Sequence, residues 1–370
     1  MKNPPPSPLR VGIIGTGWIA ESHAESYLRQ ADAEIVAVSD LSLDKAQAFC
    51  RRYGLSHTHC YAGHLDMLRH EQLDAVSVCT YNMTHAACAI DSLRAGVHVL
   101  LEKPMCVTAG EAVQIQRAER ESGMLLSIGF QPRMDPNLQL LDRIVQEGTL
   151  GDVYYVQTGG GRRRGIPNST FIEKRTAGFG ALGDIGCYTL DMVLSALGYP
   201  KPLTVTGYTS GFFGSNPLYQ RADASHSAQE NAARFDVDDF AAAFIRLEGG
   251  IILDFRIAWA MHMDTHGDTM ILGTRGGLRI PHVLRPDQTL GAPMKLYTDI
   301  AGQQTVTELP LIELQGGSLS DRKIRAFLDA IRSGAPAPVP SSQILYNQLI
   351  IDGIYRSAQL GREIEIVIPE

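Results

Sequence analysis

The sequence predicts an α/β chain: a doubly wound parallel sheet comes first, then an α+β domain with an open, mostly antiparallel sheet. Three observations carry this expectation. The first third alternates short apolar runs with amphipathic stretches, the rhythm of βαβ units. The first apolar run ends in Gly15-Thr16-Gly17 and opens directly into a helical pattern. After about Phe130 the rhythm changes to alternating strands joined by glycine-containing turns.

In chain order, Leu9–Ile14 reads as a β run and Trp18–Leu28 has helical spacing. Glu34–Ser39 is a second β run, followed by an amphipathic helix over Leu43–Tyr53. Asp74–Cys79 is a third strand, and Thr84–Ala95 a helix ended by Gly96. Val97–Leu101, Thr108–Ser122 and Leu125–Ile128 continue as strand, helix and strand, giving a parallel sheet covered on both faces. Asp135–Glu147 looks helical and Val153–Thr158 alternates like a half-buried strand. Further strands are expected at Val205–Thr209, Phe240–Leu247, Ile251–Trp259, Thr269–Leu272, Leu278–Ile280 and Lys295–Thr298, with hairpins at Glu248-Gly249-Gly250 and Thr274-Arg275-Gly276-Gly277. Helices near Leu319–Ser333 and Ser341–Leu360 close the chain, and the polar segment Gly211–Phe235 reads as an extended loop, mobile or docked on a neighbour. The expected division is a disordered tail over 1–8, a dinucleotide-binding domain over 9–132, and a substrate-binding and oligomerisation domain over 133–370.

Composition narrows the function. With 370 residues, 44% hydrophobic and 20% charged, the chain has ample apolar material for a core, so global disorder is excluded. A formal net charge of −7 argues against general nucleic-acid binding. No apolar run approaches the ~18 residues that span a bilayer, and the proline-rich start lacks the apolar segment of a secretory signal. The six cysteines include no C-x-x-C pair, so neither a disulfide framework nor a zinc site is expected and a reducing cytoplasm is the simplest compartment.

Gly15-Thr16-Gly17-Trp18-Ile19-Ala20 follows a strand and opens a helix, the context a dinucleotide fingerprint requires. Gly15 permits the tight turn, Gly17 lets the backbone approach a pyrophosphate, and Ala20 stands in for the third glycine at the helix–strand contact. The anion would sit on the helix N-terminus, with Trp18 and Ile19 beside it. Asp40 ends the next strand, placed to accept bonds from ribose hydroxyls and to repel a 2′-phosphate. Leu41 and Ser42 offer that phosphate no cation, so NAD is favoured over NADP. These features predict a dinucleotide-binding domain of the Rossmann type. Glu102-Lys103-Pro104 follows the strand Val97–Leu101, on the edge that faces the ligand crevice. Lys103 there is either a surface lysine in a turn or a proton shuttle, whose pKa burial and a cationic nicotinamide ring would lower.

Together with Gly183-Asp184-Ile185-Gly186-Cys187-Tyr188-Thr189-Leu190-Asp191, these segments resemble the glucose-fructose oxidoreductase / inositol dehydrogenase / MocA family of NAD(P)-dependent oxidoreductases, from about Leu9 to the C-terminus. The resemblance implies a C-terminal α/β domain whose open sheet makes a homodimer or homotetramer, and substrates that are sugars, polyols or similar alcohols. It assigns Lys103 the catalytic lysine's place, and Asp184 that of the acidic residue near substrate. Tyr188 stands where many members carry a catalytic histidine. An unperturbed phenol at ~10 is further from neutrality than histidine at ~6.5, so Tyr188 either needs help from Lys103 or only shapes the pocket.

Thr80-Tyr81-Asn82-Met83-Thr84-His85 matches a loop commonly written S/T-x-P-N-x-x-H, with Tyr81 in place of the proline. Thr80, Asn82 and His85 are thereby candidates to touch the nicotinamide half of the cofactor, His85 being alternatively a helix-start histidine satisfied by backbone. Arg133 resembles a cofactor or substrate ligand of the family, or else makes an interdomain salt bridge. Arg162-Arg163-Arg164 suggests a pocket for an acidic sugar or a solvated edge cluster, and Lys174 poses the same choice. His262 and His266 flank Met263-Asp264-Thr265 between strands, and His266 is taken as the one that reaches substrate. Trp259 reads as core, with stacking on a sugar ring as the alternative. His57, His59, Cys60, His64 and His70 lack a recognisable metal-ligand spacing, so no metal is expected.

The expected reaction is oxidation of a secondary hydroxyl on a cyclic sugar or polyol. Hydride goes to nicotinamide, Lys103 and Tyr188 handle the proton, and Asp184 orients substrate or lysine. Two alternatives stand beside it. One is an NAD-dependent glycosidase working by transient oxidation, elimination, water addition and re-reduction. The other is a non-catalytic ligand-sensing module, which an intact Lys103 disfavours.

Overall fold

The computed structural model describes residues 7–167, 169–223, 225–264 and 267–369. They form two compact units. The first comprises the chain through Cys106, Gly110–Gln131 and Gly316–Ile344; the second comprises Val107–Ala109, Pro132–Gln315 and Leu345 onward.

In the first unit, strands β1 (Leu9–Ile14), β2 (Ala33–Ser39), β3 (His59–Tyr61), β4 (Ala75–Val78), β5 (His98–Leu101) and β6 (Leu126–Ile128) alternate with helices α1 (Trp18–Leu28), α2 (Leu43–Arg52), α3 (His64–His70), α4 (Asn82–Arg94) and α5 (Ala109–Ser122). The sheet order is β3-β2-β1-β4-β5-β6, and every pairing is parallel. The chain therefore reverses its direction of travel across the sheet between β1 and β4, which opens a ligand crevice at the carboxyl ends of these strands. All four residues of β4 are buried, as expected of a strand covered on both faces. The short β3 and α3 occupy the histidine-containing stretch that reads from sequence as a plain connection.

The second unit begins with α6 (Pro136–Gln146) and β7 (Val153–Gly161), followed by α7 (Lys174–Ala177) and α8 (Cys187–Ala196). Then come β8 (Pro202–Ser210), α9 (Ala228–Arg234), β9 (Phe240–Leu247), β10 (Ile252–Ala258), β11 (Thr269–Gly273), β12 (Gly276–Ile280), β13 (Met294–Ile300) and β14 (Gln303–Leu309). The chain next forms α10 (Leu319–Ser333), α11 (Ser341–Leu360) and β15 (Ile364–Glu365). Nine strands make one sheet in the order β14-β13-β12-β11-β7-β10-β9-β8-β15. Only β7 and β10 pair in parallel; the other neighbours are antiparallel. Alternation puts Ala241, Ala243, Ile245 and Leu247 of β9 inside, while Phe244 and Arg246 look outward with Tyr208 and Arg256 of the neighbouring strands.

The continuous division expected at 132/133 differs from this grouping, because α10 belongs with the parallel sheet. Its Ile324, Phe327 and Leu328 are fully buried in one core with Val11, Ile13, Tyr27 and Val38. The helix is bounded by a Ser318–Asp321 capping box and by Gly334 in the left-handed region. The segment expected as one extended loop, Gly211–Phe235, contains α9, which Ser227 and Glu230 cap reciprocally. Among the described residues no helix is long and apolar enough to cross a membrane.

Candidate active site

Gly15 has φ +89°, and a Cβ there would lie 2.7 Å from the Cys79 carbonyl oxygen, so only glycine makes this turn beside β4. Gly17 caps α1 without a side-chain hydrogen bond, and nothing lies within 4 Å of where its Cβ would be. The start of α1 is thus bare backbone facing open space, the arrangement that accepts a pyrophosphate. Trp18 is exposed, Ile19 half-buried, and Ala20 is fully buried against the sheet. Asp40, at the end of β2, reaches across to this turn. Its Oδ2 accepts from the Thr16 amide (3.1 Å) and hydroxyl (2.7 Å), and its Oδ1 accepts from the Ser42 amide (3.0 Å). These contacts fix the carboxylate beside the glycine turn, and the residues present fit a dinucleotide.

One strand, β4, separates β1 from β5 in the sheet, so the glycine turn and the turn after β5 are about 10 Å apart along the edge. That second turn carries Lys103. The preceding Glu102 is buried, and its Oε1 accepts from His23 Nε2 (2.8 Å) and from the Lys323 ammonium (2.5 Å). His23 Nδ1 and the Tyr27 hydroxyl both meet Ser77 Oγ, each at 2.9 Å. Burial alone would raise the Glu102 carboxyl, but Lys323 and His23 outweigh it and hold the group well below the usual carboxylate range. Burial, followed by the Lys323 charge, lowers His23. The Glu102 Oε2 also accepts from the Lys103 amide (3.3 Å), so a buried ionic cluster grips the backbone at the lysine itself.

His85 holds the other side of this turn. It is buried on α4, with Nδ1 2.7 Å from the Pro104 carbonyl and Nε2 3.2 Å from the Thr80 carbonyl. Burial lowers its pKa while the two backbone carbonyls act in the opposite sense, and both ring nitrogens face backbone oxygens, the satisfied-histidine alternative left open by the sequence. Asn82 begins α4 beside it, half-buried.

In the second unit Asp184 lies on a π-helical turn, Leu182–Gly186, that runs directly into α8, and Tyr188 follows one turn later, both half-buried. Single π turns inside helices recur at functional sites. The turn is anchored from β9's approach: Asp238 accepts from the amides of Gly180 (2.8 Å) and Leu182 (2.9 Å), and from the Tyr355 hydroxyl. A Cβ at position 180 would come within 1.8 Å of the Asp238 carbonyl oxygen, so Gly180 is required for this approach. Burial pushes the Asp238 carboxyl and the Tyr355 phenol up. The Trp259 indole, buried after β10, donates to Asp184 Oδ2 at 3.1 Å. It is core as expected, yet it also aims the carboxylate, a role signalled in sequence only by a tryptophan at a strand end.

The remaining candidates separate. Arg133 donates from Nε (2.9 Å) and Nη2 (2.8 Å) to Asp191, and also meets the Tyr199 hydroxyl, which itself donates to Asp191. This ion pair lies inside the second unit and ties the chain before α6 to α8. Lys174 exposes its side chain on α7, while its amide donates to Asp236 (2.6 Å). Arg163 is exposed and 3.8 Å from Asp264. His266 lies outside the described residues. In the histidine-containing stretch His59 meets Glu71 (2.5 Å), and His64 meets Asp91 (3.0 Å) and the Cys88 sulfur (3.8 Å); the described residues contain no group of three or more His, Cys, Asp or Glu side chains that could hold a metal ion.

Comparison with known proteins identifies both parts of the chain. Residues 9–130 match the oxidoreductase family with an NAD-binding Rossmann fold, and residues 143–366 match that family's C-terminal alpha/beta domain. The chain belongs to the GFO/IDH/MocA oxidoreductase family. It is an oxidoreductase of that family, and its cofactor is NAD. Among curated relatives, it is 28% identical to the D-glucoside 3-dehydrogenase of Escherichia coli (strain K12), over 97% of this chain and 98% of that protein. Among solved structures, the oxidoreductase domain protein from Kribbella flavida shares the fold with a TM-score of 0.83 at 21% identity, covering 98% of this chain and all (100%) of that one. A levoglucosan dehydrogenase in complex with NADH and levoglucosan shares it with a TM-score of 0.81, also at 21% identity, over 98% and 100% of the two chains.

Proposed function

We propose that this family member oxidises a secondary hydroxyl of a cyclic sugar, polyol or sugar derivative, glucosides being the first class to test. The observation that carries the reading is the Lys103 turn. It is fixed between the buried Glu102 cluster and His85, on the same sheet edge as the glycine turn. A flexible surface lysine needs no such clamp. NAD, when bound, supplies the hydride acceptor at C4 of its nicotinamide. Gly15, Gly17 and the start of α1 would hold its pyrophosphate, Asp40 would take its ribose hydroxyls, and Thr80 and Asn82 would contact its nicotinamide half. Lys103 in its neutral form accepts the hydroxyl proton as the C–H bond gives up hydride, leaving a ketone and an ammonium that returns its proton to solvent. Asp184, aimed by Trp259, accepts a neighbouring sugar hydroxyl, and Tyr188 one turn along takes a second position on the sugar or assists with the proton.

The name of the Escherichia coli relative supports a glucoside as substrate. We propose further that the outward face bearing Tyr208 and Phe244 mediates self-association, and that the protein works in the cytoplasm. The functional test is a panel of glucosides, inositols, hexoses and uronates with NAD, following NADH absorbance and, for chromogenic glycosides, aglycone release. NADH formed together with a keto sugar supports the dehydrogenase. Aglycone release without net NADH replaces it by the redox-neutral glycosidase.

A further inference from the structure

A second constellation in the same unit as Asp184 is used by none of these steps. Where β7 ends, Arg162, Arg163 and Arg164 turn outward into an open pocket of about 780 Å³, with Tyr219, His262 and Asp264 among its other walls. The walls are organised. Arg164 lies over the Tyr219 ring, 5.1 Å from its centre, and the Tyr219 hydroxyl meets His262 Nε2 at 2.7 Å. Phe213 backs both, with ring centres 4.7 Å from Tyr219 and 5.2 Å from His262. This aromatic wall is pinned in turn, because Asp239 accepts from the amides of Phe213 (2.6 Å) and Gly214 (2.8 Å). The Met261 amide donates to the Arg162 carbonyl (3.0 Å), two residues beyond the Trp259 that aims Asp184. One strand end therefore supports both the pocket and the carboxylate.

The charges do not balance. Three arginines line the pocket with a single carboxylate, Asp264, which pairs with Arg163 at 3.8 Å. Among the described residues neither Arg162 nor Arg164 has an ion-pair partner. Planar guanidinium groups held by stacking favour carboxylate and phosphate oxygens, and an aromatic wall suits the apolar face of a sugar ring.

We propose that this pocket receives an oxyanion, carboxylate or phosphate, carried by the sugar substrate, so that the enzyme prefers an acidic sugar derivative to its neutral counterpart. The inference rests on the dehydrogenase reading for the word substrate, but the binding event does not depend on turnover. The full-length protein with NAD is assayed on matched pairs, methyl glucuronide against methyl glucoside and glucose 6-phosphate against glucose. Calorimetric binding of glucuronate and of inorganic phosphate is measured in parallel, at low and high salt. The wild type should favour one anionic member in kcat/KM at least about tenfold, mainly through KM, with the favoured pair distinguishing carboxylate from phosphate. In an Arg162→Ala/Arg164→Ala double variant with an unchanged melting temperature, that ratio should fall at least about tenfold and anion binding should be lost. Salt should weaken wild-type anion binding. Anion binding that vanishes in the double variant, with no sugar turned over, keeps the pocket and overturns the dehydrogenase reading. Turnover of neutral sugars with no anion preference, or a preference that survives the double variant, overturns the pocket and leaves that reading standing.

Discussion

The Lys323 ammonium lies 2.5 Å from the Glu102 carboxylate, both side chains only 4% exposed, although 221 positions separate them in sequence. A helix formed late in the chain thus completes the ionic cluster beneath Lys103. Removing one partner leaves the other charge buried without its counter-ion, a loss of about 3–5 kcal/mol. Lys323→Met should therefore lower stability by that order in denaturant titration and also reduce kcat through the displaced Lys103 turn. Adding Glu102→Gln to the same chain should recover part of the stability. Equal small losses in both single variants and an additive double would show that the pair is not coupled.

Asp142 gives a pH dependence with a definite sign. It sits on α6 and accepts from the Ser195 hydroxyl of α8 at 2.8 Å, and burial raises its carboxyl to about 6. A carboxyl raised on folding contributes stability that is fully present below its unfolded value of about 4 and is lost as pH rises through about 6. Asp142→Asn keeps an acceptor for Ser195 but cannot ionise. Its stability relative to wild type should rise between about pH 4 and 6 and level off above, with a gain of about 1–2 kcal/mol after allowing for partial exposure. Parallel stability curves for the two proteins would contradict this.

Asp40 separates the two nicotinamide cofactors. Its carboxylate is fixed at the glycine turn by Thr16 and Ser42 and lies where a 2′-phosphate would enter. Asp40→Ser loosens the turn for both cofactors, so the informative quantity is the ratio of kcat/KM with NADP to that with NAD. The ratio should rise at least about tenfold, in keeping with relief of a close like-charge contact. A wild type that already prefers NADP would refute the role given to Asp40.

The parts of the molecule legible in sequence are those whose signal is local. Gly15-Thr16-Gly17 announces its turn because a positive φ and a close approach to β4 admit only glycine. Glu102-Lys103 announces itself by following an apolar strand. Lys323 does not, because a lysine within an amphipathic helix normally solvates, and nothing nearby in sequence says that a carboxylate waits for it. The π turn at Asp184 depends on Asp238, more than fifty residues later, accepting the amides of Gly180 and Leu182. Strand β14 escapes a pattern search because it is an exposed edge whose residues are mostly polar on both faces. Helix α9 was within reach, since Ser227 and Glu230 stand at capping-box spacing. Arg133 shows the same limit, since its pairing with Asp191 and Tyr199 depends on residues more than fifty positions later.

The most direct measurement compares wild type with Lys103→Met, each verified as folded, for NADH formation from NAD and the best substrate of the panel. Loss of the proton acceptor should reduce kcat at least about a hundredfold while NAD affinity stays within a few-fold. Hydride transfer that continues at near wild-type rate without the Lys103 amine would contradict the account.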